Sequence, residues 1–366
     1  MTPWSRSRPG GPPRLRLPAA VPRSFVSLAI LAAALSDSSS PALAQGVFDA
    51  IGSQVSKVFD GAQSSVVRVR AQQGDFEADG SGFFIDDKGT VLTAAATLWP
   101  PNASFPSKTI AVQVNGSDLP AKLVGLDPRS GLAVLQVFNG TTPFLPLADA
   151  SEIKTATAVV GVGFPFNLPA APTFGMITGF DTQYLNHYFA TTQLRTSLSI
   201  SPGQIGGPVL NGRGAVVGIL VMAADERKFT YALPSPAIRK ILDDLNLHGR
   251  VLHGWVGVGI DPKADGKDVR ITQLFAGTPA STSGLQPGDV VVRIDKREIT
   301  RPADVIDASF FAQVGQEMPV VVSRNGQLLT FKFVVGERPD RIPVAEPSPA
   351  FNPNVKTVTV SAPSGQ

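Results

Sequence analysis

The sequence predicts a mainly β protein: two small antiparallel barrels followed by a smaller α+β domain. Three observations lead there. Between Ser64 and Ala232, about twelve short apolar runs are bounded by turn residues, and they fall into two groups. The 35 Gly and 32 Pro suit a turn-rich chain better than a helical one. Beyond Val251, strand-like runs alternate with helix-opening Pro residues, the pattern of a mixed domain.

Taken in order, residues 1–44 read as a secretory signal. Arg6, Arg8, Arg14, Arg16 and Arg23 form a basic start, Phe25 to Leu35 is apolar, and Ala42-Leu43-Ala44 is a small-residue cleavage site. An uncleaved anchor is the alternative, but the apolar run is short for a membrane span. This stretch holds five Arg and one Asp. The remainder therefore has 27 basic and 28 acidic residues, a net charge of −1 against +3 for the whole chain. A nucleic-acid role loses its electrostatic motive.

The chain has no cysteine, which excludes disulfides, a thiol nucleophile and thiolate metal sites. Its three histidines, His187, His248 and His253, have no ligand spacing, so neither a metal nor a cofactor is expected.

In the N-terminal segment 45–63, Val47, Ile51, Val55 and Val58 share a helical face, while Phe48 and Phe59 could reach a neighbouring subunit. The first strand group is Val66–Arg70, Gly82–Ile85, Val91–Ala95, Ile110–Val114, Ala121–Leu126 and Ala133–Val137. The second is Ala156–Gly161, Phe174–Phe180, Tyr188–Thr192, Pro208–Leu210, Ala215–Val221 and Phe229–Ala232. A helix then opens at Ser235-Pro236, with Ser235 as its cap. It places Ile238, Ile241, Leu242 and Leu245 on one face and ends at Gly249.

The second domain offers strands at Val269–Leu274, Val290–Ile294, Val320–Ser323 and Leu328–Val335. A short helix opens at Pro279, and a longer one runs from Pro302 to Ala312. Asn325-Gly326 marks a tight hairpin. Residues 339–366 contain six prolines and read as a disordered tail. Within it, Val355–Val360 alternates like a strand able to dock on a sheet edge.

Short motifs stand in a fixed order along this framework. Gly80-Ser81-Gly82-Phe83 and Val91-Leu92-Thr93-Ala94-Ala95 come first. Val124-Gly125-Leu126-Asp127-Pro128, Leu132-Ala133-Val134-Leu135 and Gly161-Val162-Gly163-Phe164-Pro165-Phe166 follow. Ile200-Ser201-Pro202-Gly203 and Gly206-Gly207-Pro208 close the set. Further on lie Gly277-Thr278-Pro279-Ala280, Gly284-Leu285 and Pro287-Gly288-Asp289-Val290.

The ordered set resembles the HtrA (Do-like) family of exported serine proteases with one PDZ domain. The resemblance implies a trypsin-like double Greek-key β-barrel domain over 64–249 and a PDZ domain over 250–338. It also implies a trimer built through the segment before the first barrel.

Where that family carries its triad, this chain departs from it. A serine hydroxyl attacks the peptide carbonyl, a histidine takes the proton, and an aspartate orients the histidine. Ala96 stands at the histidine position, Gly131 at the aspartate and Ile205 at the serine. None of the three can do the chemistry. The oxyanion-hole donors would be the N–H groups of Gly203 and Ile205. Gly203, Gly206 and Gly207 admit two explanations: an unusual backbone, or a cleft that still binds peptide.

PDZ domains add an extended peptide to a strand edge and hold its carboxylate with loop N–H groups. The resemblance places that loop at Gly254-Trp255-Val256-Gly257. Val258 and Ile260 would lie on the edge strand, facing Val305 and Ser309 of the helix. One departure is Asp295-Lys296-Arg297, where the family often has Asn-Gly.

The expectation is a periplasmic pseudoprotease that binds peptide or unfolded-protein C-termini, as a regulator or scaffold for an active relative in a homo-trimer or mixed oligomer. Two other classes stay open. One is a serine endopeptidase with a displaced group, drawn from Ser197, Ser199, Ser201 or His187. The other is a periplasmic holdase chaperone.

Overall fold

The structure is a computed structural model and describes residues 41–99, 103–138, 140–185, 187–224, 228–261, 268–339 and 358–359. Two compact units meet between Ser53 and Gln54. Helix α1, Pro41–Ala62, carries that boundary. The expected cleavage site at Ala42–Ala44 falls inside α1, and residues 1–40 lie outside the described residues.

All twelve expected strands form, and each group of six closes into a barrel. The first contains β1 (Val66–Gln73), β2 (Phe76–Phe84), β3 (Thr90–Ala94), β4 (Thr109–Val114), β5 (Ser117–Asp127) and β6 (Leu132–Val137), in the order β1-β2-β3-β6-β5-β4. The short helix α2, Ala95–Leu98, follows β3 directly. Val69, Phe84, Val91, Val112 and Leu135 fill the barrel.

The second barrel contains β7 (Ala158–Gly163), β8 (Ala171–Tyr184), β9 (His187–Thr196), β10 (Pro208–Leu210), β11 (Val216–Ala224) and β12 (Phe229–Pro234), closing as β10-β11-β12-β9-β8-β7. Ile177, Leu194, Leu198, Val209 and Leu220 fill it. Because closure pairs every strand on both sides, neither barrel leaves an open edge.

Helix α3, Ser235–His248, follows β12 and ends on Gly249 in the left-handed conformation, φ 68°. Ser235 does not cap it. Its buried hydroxyl instead donates to the Ala148 carbonyl at 2.7 Å, tying the helix start to the second barrel. Ile238 and Ile241 of α3 join a core shared by both barrels, which also takes in Val58 and Ala62. Phe59 packs against the same cluster, so the helix end covers its own barrel, whereas Phe48 is 75% exposed.

The last domain has its own core, including Ile271, Leu285, Val291, Val322 and Phe331. It comprises β13 (Gly254–Trp255), β14 (Val258–Ile260), β15 (Ile271–Leu274), α4 (Pro279–Thr282), β16 (Val290–Ile294), β17 (Arg297–Glu298), α5 (Pro302–Phe311), β18 (Glu317–Arg324), β19 (Gln327–Val334) and β20 (Gly336–Glu337). Asn325 and Gly326 both have positive φ, 52° and 81°, as a two-residue hairpin turn requires.

The alternating stretch within the tail pairs as its pattern allows. Val358–Thr359 forms strand β21 and pairs with Leu329 and Thr330 of β19, because an unpaired sheet edge accepts an alternating segment. The remainder of that tail, from 340 onward, lies outside the described residues.

Candidate active-site cleft and peptide groove

Two sites emerge, one between the barrels and one in the last domain. At the first, hydrogen bonds join the segments that carry Ala96, Gly131 and Ile205. The Ala95 N–H donates to the Gly131 carbonyl at 2.8 Å, joining the start of α2 to the turn before β6. The Ser81 N–H donates to the Ile205 carbonyl at 2.8 Å, joining β2 to the 201–207 loop. Thr93 Oγ1 donates to the Ser81 carbonyl at 2.8 Å, and Ser81 Oγ donates to the Gly203 carbonyl at 2.7 Å. Ser81 Oγ also accepts the Phe164 N–H at 3.0 Å. One buried serine thus clamps three segments together.

Ala96 is exposed on α2. Gly131 sits at φ 83°, and a Cβ there would lie 3.1 Å from Val221 Cβ. Ile205 packs its side chain partly against the core of the second barrel. The glycines of this loop have a steric explanation. A Cβ on Gly203, Gly206 or Gly207 would overlap the carbonyl oxygen of Phe164, Ser81 or Val162 respectively. Among the described residues, the N–H groups of Gly203 and Ile205 donate to no protein acceptor.

The candidate replacement groups engage other partners. Ser197 Oγ accepts the Met176 N–H at 3.0 Å, and the Ser201 N–H donates to Gln204 Oε1 at 2.7 Å. His187 stacks edge-on against Phe189. Among the described residues, no serine or threonine hydroxyl is hydrogen-bonded to a histidine.

At the second site, Gly254, Trp255, Val258, Ile260, Val305 and Ser309 line one cavity of about 360 Å³. Val256 and Gly257 do not line it. Their carbonyls turn into the domain and accept the N–H groups of Ala280 and Phe275, each at 2.9 Å. Ser309 Oγ donates to the Gly254 carbonyl at 2.7 Å and fixes α5 to the loop. Trp255 packs on Phe275 with ring centres 5.4 Å apart. Among the described residues, the Val256 and Gly257 N–H groups have no protein acceptor. The cavity therefore offers an apolar floor, and the chain segment between its lining residues Trp255 and Val258 carries the unpaired donors.

Sequence reasoning missed the other wall. Pro128, Arg129 and residues 187–190 of the barrel domain line the same cavity, as does Arg338. The groove helix itself is docked on β9. Asp307 accepts Thr191 Oγ1 at 2.7 Å, the Thr192 N–H at 2.8 Å and Thr192 Oγ1 at 2.9 Å. His253, just before the loop, lies 3.0 Å from Asp127 at the end of β5. Burial pushes the Asp127 carboxyl up. The hydrogen bond and charge of His253, with bonds from Ser130 and the Arg129 N–H, outweigh burial and hold it below its ordinary value. No single segment announces these pairs, because they arise only when two domains meet.

Comparison with known proteins agrees with this architecture. The description "Trypsin-like peptidase domain" matches residues 80–219, and "PDZ domain" matches residues 256–335. The chain combines a trypsin-like peptidase domain with one PDZ domain. It is 28% identical over 292 residues to a "Probable periplasmic serine endoprotease DegP-like" of Pseudomonas putida (strain W619), covering 74% of the chain and 59% of the relative. It is 30% identical over 276 residues to a protein of the same name from Halomonas elongata, covering 71% and 57%. The chain thus spans about three fifths of the length of these relatives.

Among solved structures, it resembles "HtrA-type protease AlgW with tripeptide" with a TM-score of 0.69 and 24% identity, over 78% of this chain and 98% of that one. It resembles the serine endoprotease from Yersinia pestis with a TM-score of 0.60 and 26% identity, over 78% and 98%. No helix among the described residues is long and apolar enough to cross a membrane.

Proposed function

We propose that this protein recognises peptides without cleaving them, its PDZ groove taking the C-termini of peptides or unfolded proteins. The observation that carries this reading is the convergence of Ala96, Gly131 and Ile205 at one inter-barrel site with no base, carboxylate or hydroxyl among them. Loss of a triad in related chemistry costs on the order of 10⁶ in turnover, and an oxyanion hole alone leaves roughly 10³–10⁴ over water. The groove keeps an apolar edge strand, a facing helix and unpaired N–H donors, the parts that strand-addition recognition uses. A neighbour in fold is described with a bound tripeptide, which fits the same use.

We further propose that the protein is exported to the periplasm, in keeping with its relatives' descriptions. There it acts as a regulator or scaffold, as a homo-trimer or in a mixed oligomer with an active relative. Exposed Phe48 on α1 is a candidate subunit contact, and light scattering at micromolar concentration tests it, a monomer rejecting the oligomer.

The test of function pairs two assays on the purified chain. Unfolded casein stays intact and a fluorophosphonate probe labels nothing, while a peptide with a free apolar C-terminus binds. Cleavage accompanied by a labelled serine overturns the non-cleaving reading.

A further inference from the structure

Among the described residues, most arginines around the PDZ domain have a carboxylate partner, and Arg338 does not. Arg250 pairs with Glu337, Arg324 with Asp289, Arg270 with Asp268 and Arg301 with Asp304. Among the described residues, no carboxylate pairs with Arg338. Its Nε is buried and has no hydrogen-bond partner among the described residues. Burial, reinforced by the like charge of Arg129, pulls its proton affinity below the ordinary arginine value. A desolvated guanidinium beside a second one is costly until an anion reaches it.

Position says which anion. Arg338 follows β20, which pairs with Gly254 and Trp255, and its N–H donates to the His253 carbonyl at 2.8 Å. Its backbone is therefore anchored at the start of the carboxylate-loop segment. Its side chain lines the groove together with Val258, Val305 and Ser309. Arg338 shares the cavity with Trp255 and Val258, the residues that flank the unpaired N–H groups of Val256 and Gly257, in the segment where a strand-added peptide ends. Guanidinium suits this task because its planar fork matches a carboxylate.

We propose that Arg338 holds a peptide carboxylate at the head of the PDZ groove, supplying a charged anchor beside the loop N–H groups. This rests on the groove being the peptide site. The carboxylate is either the peptide's C-terminus or an acidic side chain next to it, and the two are separable by experiment.

The test is isothermal titration of the full chain with four peptides of one sequence ending in Val: Glu or Gln at the last-but-one residue, each as free acid and as amide. The wild type is compared with Arg338→Met, which keeps an apolar stem and removes the charge. Affinity for carboxylate-bearing peptides should fall about tenfold or more in the variant, the usual weight of a charge-assisted hydrogen bond. Collapse of the acid-to-amide ratio identifies the C-terminus as the ligand; collapse of the Glu-to-Gln ratio identifies the side chain. Unchanged affinity of Arg338→Met for all four peptides overturns the proposal and leaves the groove reading intact. Failure of the wild type to bind any of them overturns both.

A measurement on the wild type avoids dependence on the variant's folding. Phenylglyoxal labelling of Arg338, mapped by mass spectrometry, should fall when a carboxylate-bearing peptide is bound; equal labelling with and without bound peptide overturns the proposal.

Discussion

His253 and Asp127 share a 3.0 Å hydrogen bond across the junction of the barrel and PDZ domains. The Asp127 residue is 4% exposed, and its second oxygen has no partner among the described residues. Asp127 Oδ1 thus serves both the imidazole and the Arg129 N–H, which donates to it at 3.2 Å. Because the same histidine leads into the groove loop, the pair ties the groove's position to the end of β5.

Acid should weaken this tie. The folded-state pKa of Asp127 is depressed, so the stabilisation is fully present above the unfolded value, near 3.9. It is lost as pH falls through the lower folded value. Thermal melts from about pH 6 down to about pH 2 should show a smaller acid-induced loss in Asp127→Asn than in the wild type over that window. Parallel curves would mean that Asp127 carries no linkage.

Asp307 should govern domain docking. It accepts three hydrogen bonds from Thr191 and Thr192 while standing on the groove helix. Asp307→Ala leaves the Thr191 hydroxyl and the Thr192 N–H without their acceptor, at a cost of about 1.5–3 kcal/mol. Limited proteolysis should then cut the linker after α3 faster than in the wild type. Unchanged cutting would show that the docking does not depend on Asp307.

Within the PDZ domain, Arg324 donates from Nε and Nη2 to the two Asp289 oxygens, both at 2.7 Å. Asp289 is 2% exposed. Removing the partner strands a buried carboxylate, so Arg324→Ala should cost about 3–5 kcal/mol. Urea denaturation read by Trp255 fluorescence measures it, and a loss under about 1 kcal/mol would contradict the pairing's weight.

The strands were legible because short apolar runs between turn residues leave few alternatives, and the Asn325-Gly326 hairpin because its geometry demands those residues. The convergence of Ala96, Gly131 and Ile205 was legible only through ordered motifs, since the three lie far apart in the chain. Ser235 misled: a serine ahead of Pro236 reads as a cap, yet a nearby carbonyl of the second barrel competes successfully for its hydroxyl. Asp127, Arg129, His187 and Arg338 carried no local signal for the groove. Their roles depend on which faces of two domains meet, and no spacing encodes that.

Placing His, Asp and Ser at positions 96, 131 and 205 should not by itself create a working protease. Gly131 occupies φ 83°, where a side chain is strained, and its Cβ would press on Val221. Gly131→Asp alone should lower stability by about 1 kcal/mol or more. Ile205→Ser removes apolar contact with the second barrel core. The triple variant Ala96→His, Gly131→Asp, Ile205→Ser should therefore melt earlier than the wild type and cleave casein far below a working HtrA-type enzyme. Robust turnover by it would show that the cleft tolerates these groups without adjustment.

Val258 offers the sharpest test of the groove as a peptide site. It lies on the edge strand, pairs with Leu274 on its other side, and lines the cavity opposite Val305. An added peptide strand would set an apolar last residue into that pocket, so peptides ending in Val, Leu, Ile or Phe should bind best. Affinity should be about micromolar, because ordering a flexible peptide offsets part of the contact energy. Val258→Glu places a carboxylate beside the apolar pocket and near the incoming peptide carboxylate. Like charges and the desolvation of the new group both oppose binding, so affinity should drop at least about tenfold. Val258 is only partly buried, so the melting temperature should move little, which separates lost binding from lost folding. Isothermal titration with one apolar-ended peptide, alongside thermal melts of both proteins, gives both readouts. Equal binding by wild type and Val258→Glu would place peptide recognition elsewhere and leave this groove as a packing surface for the barrel hairpin.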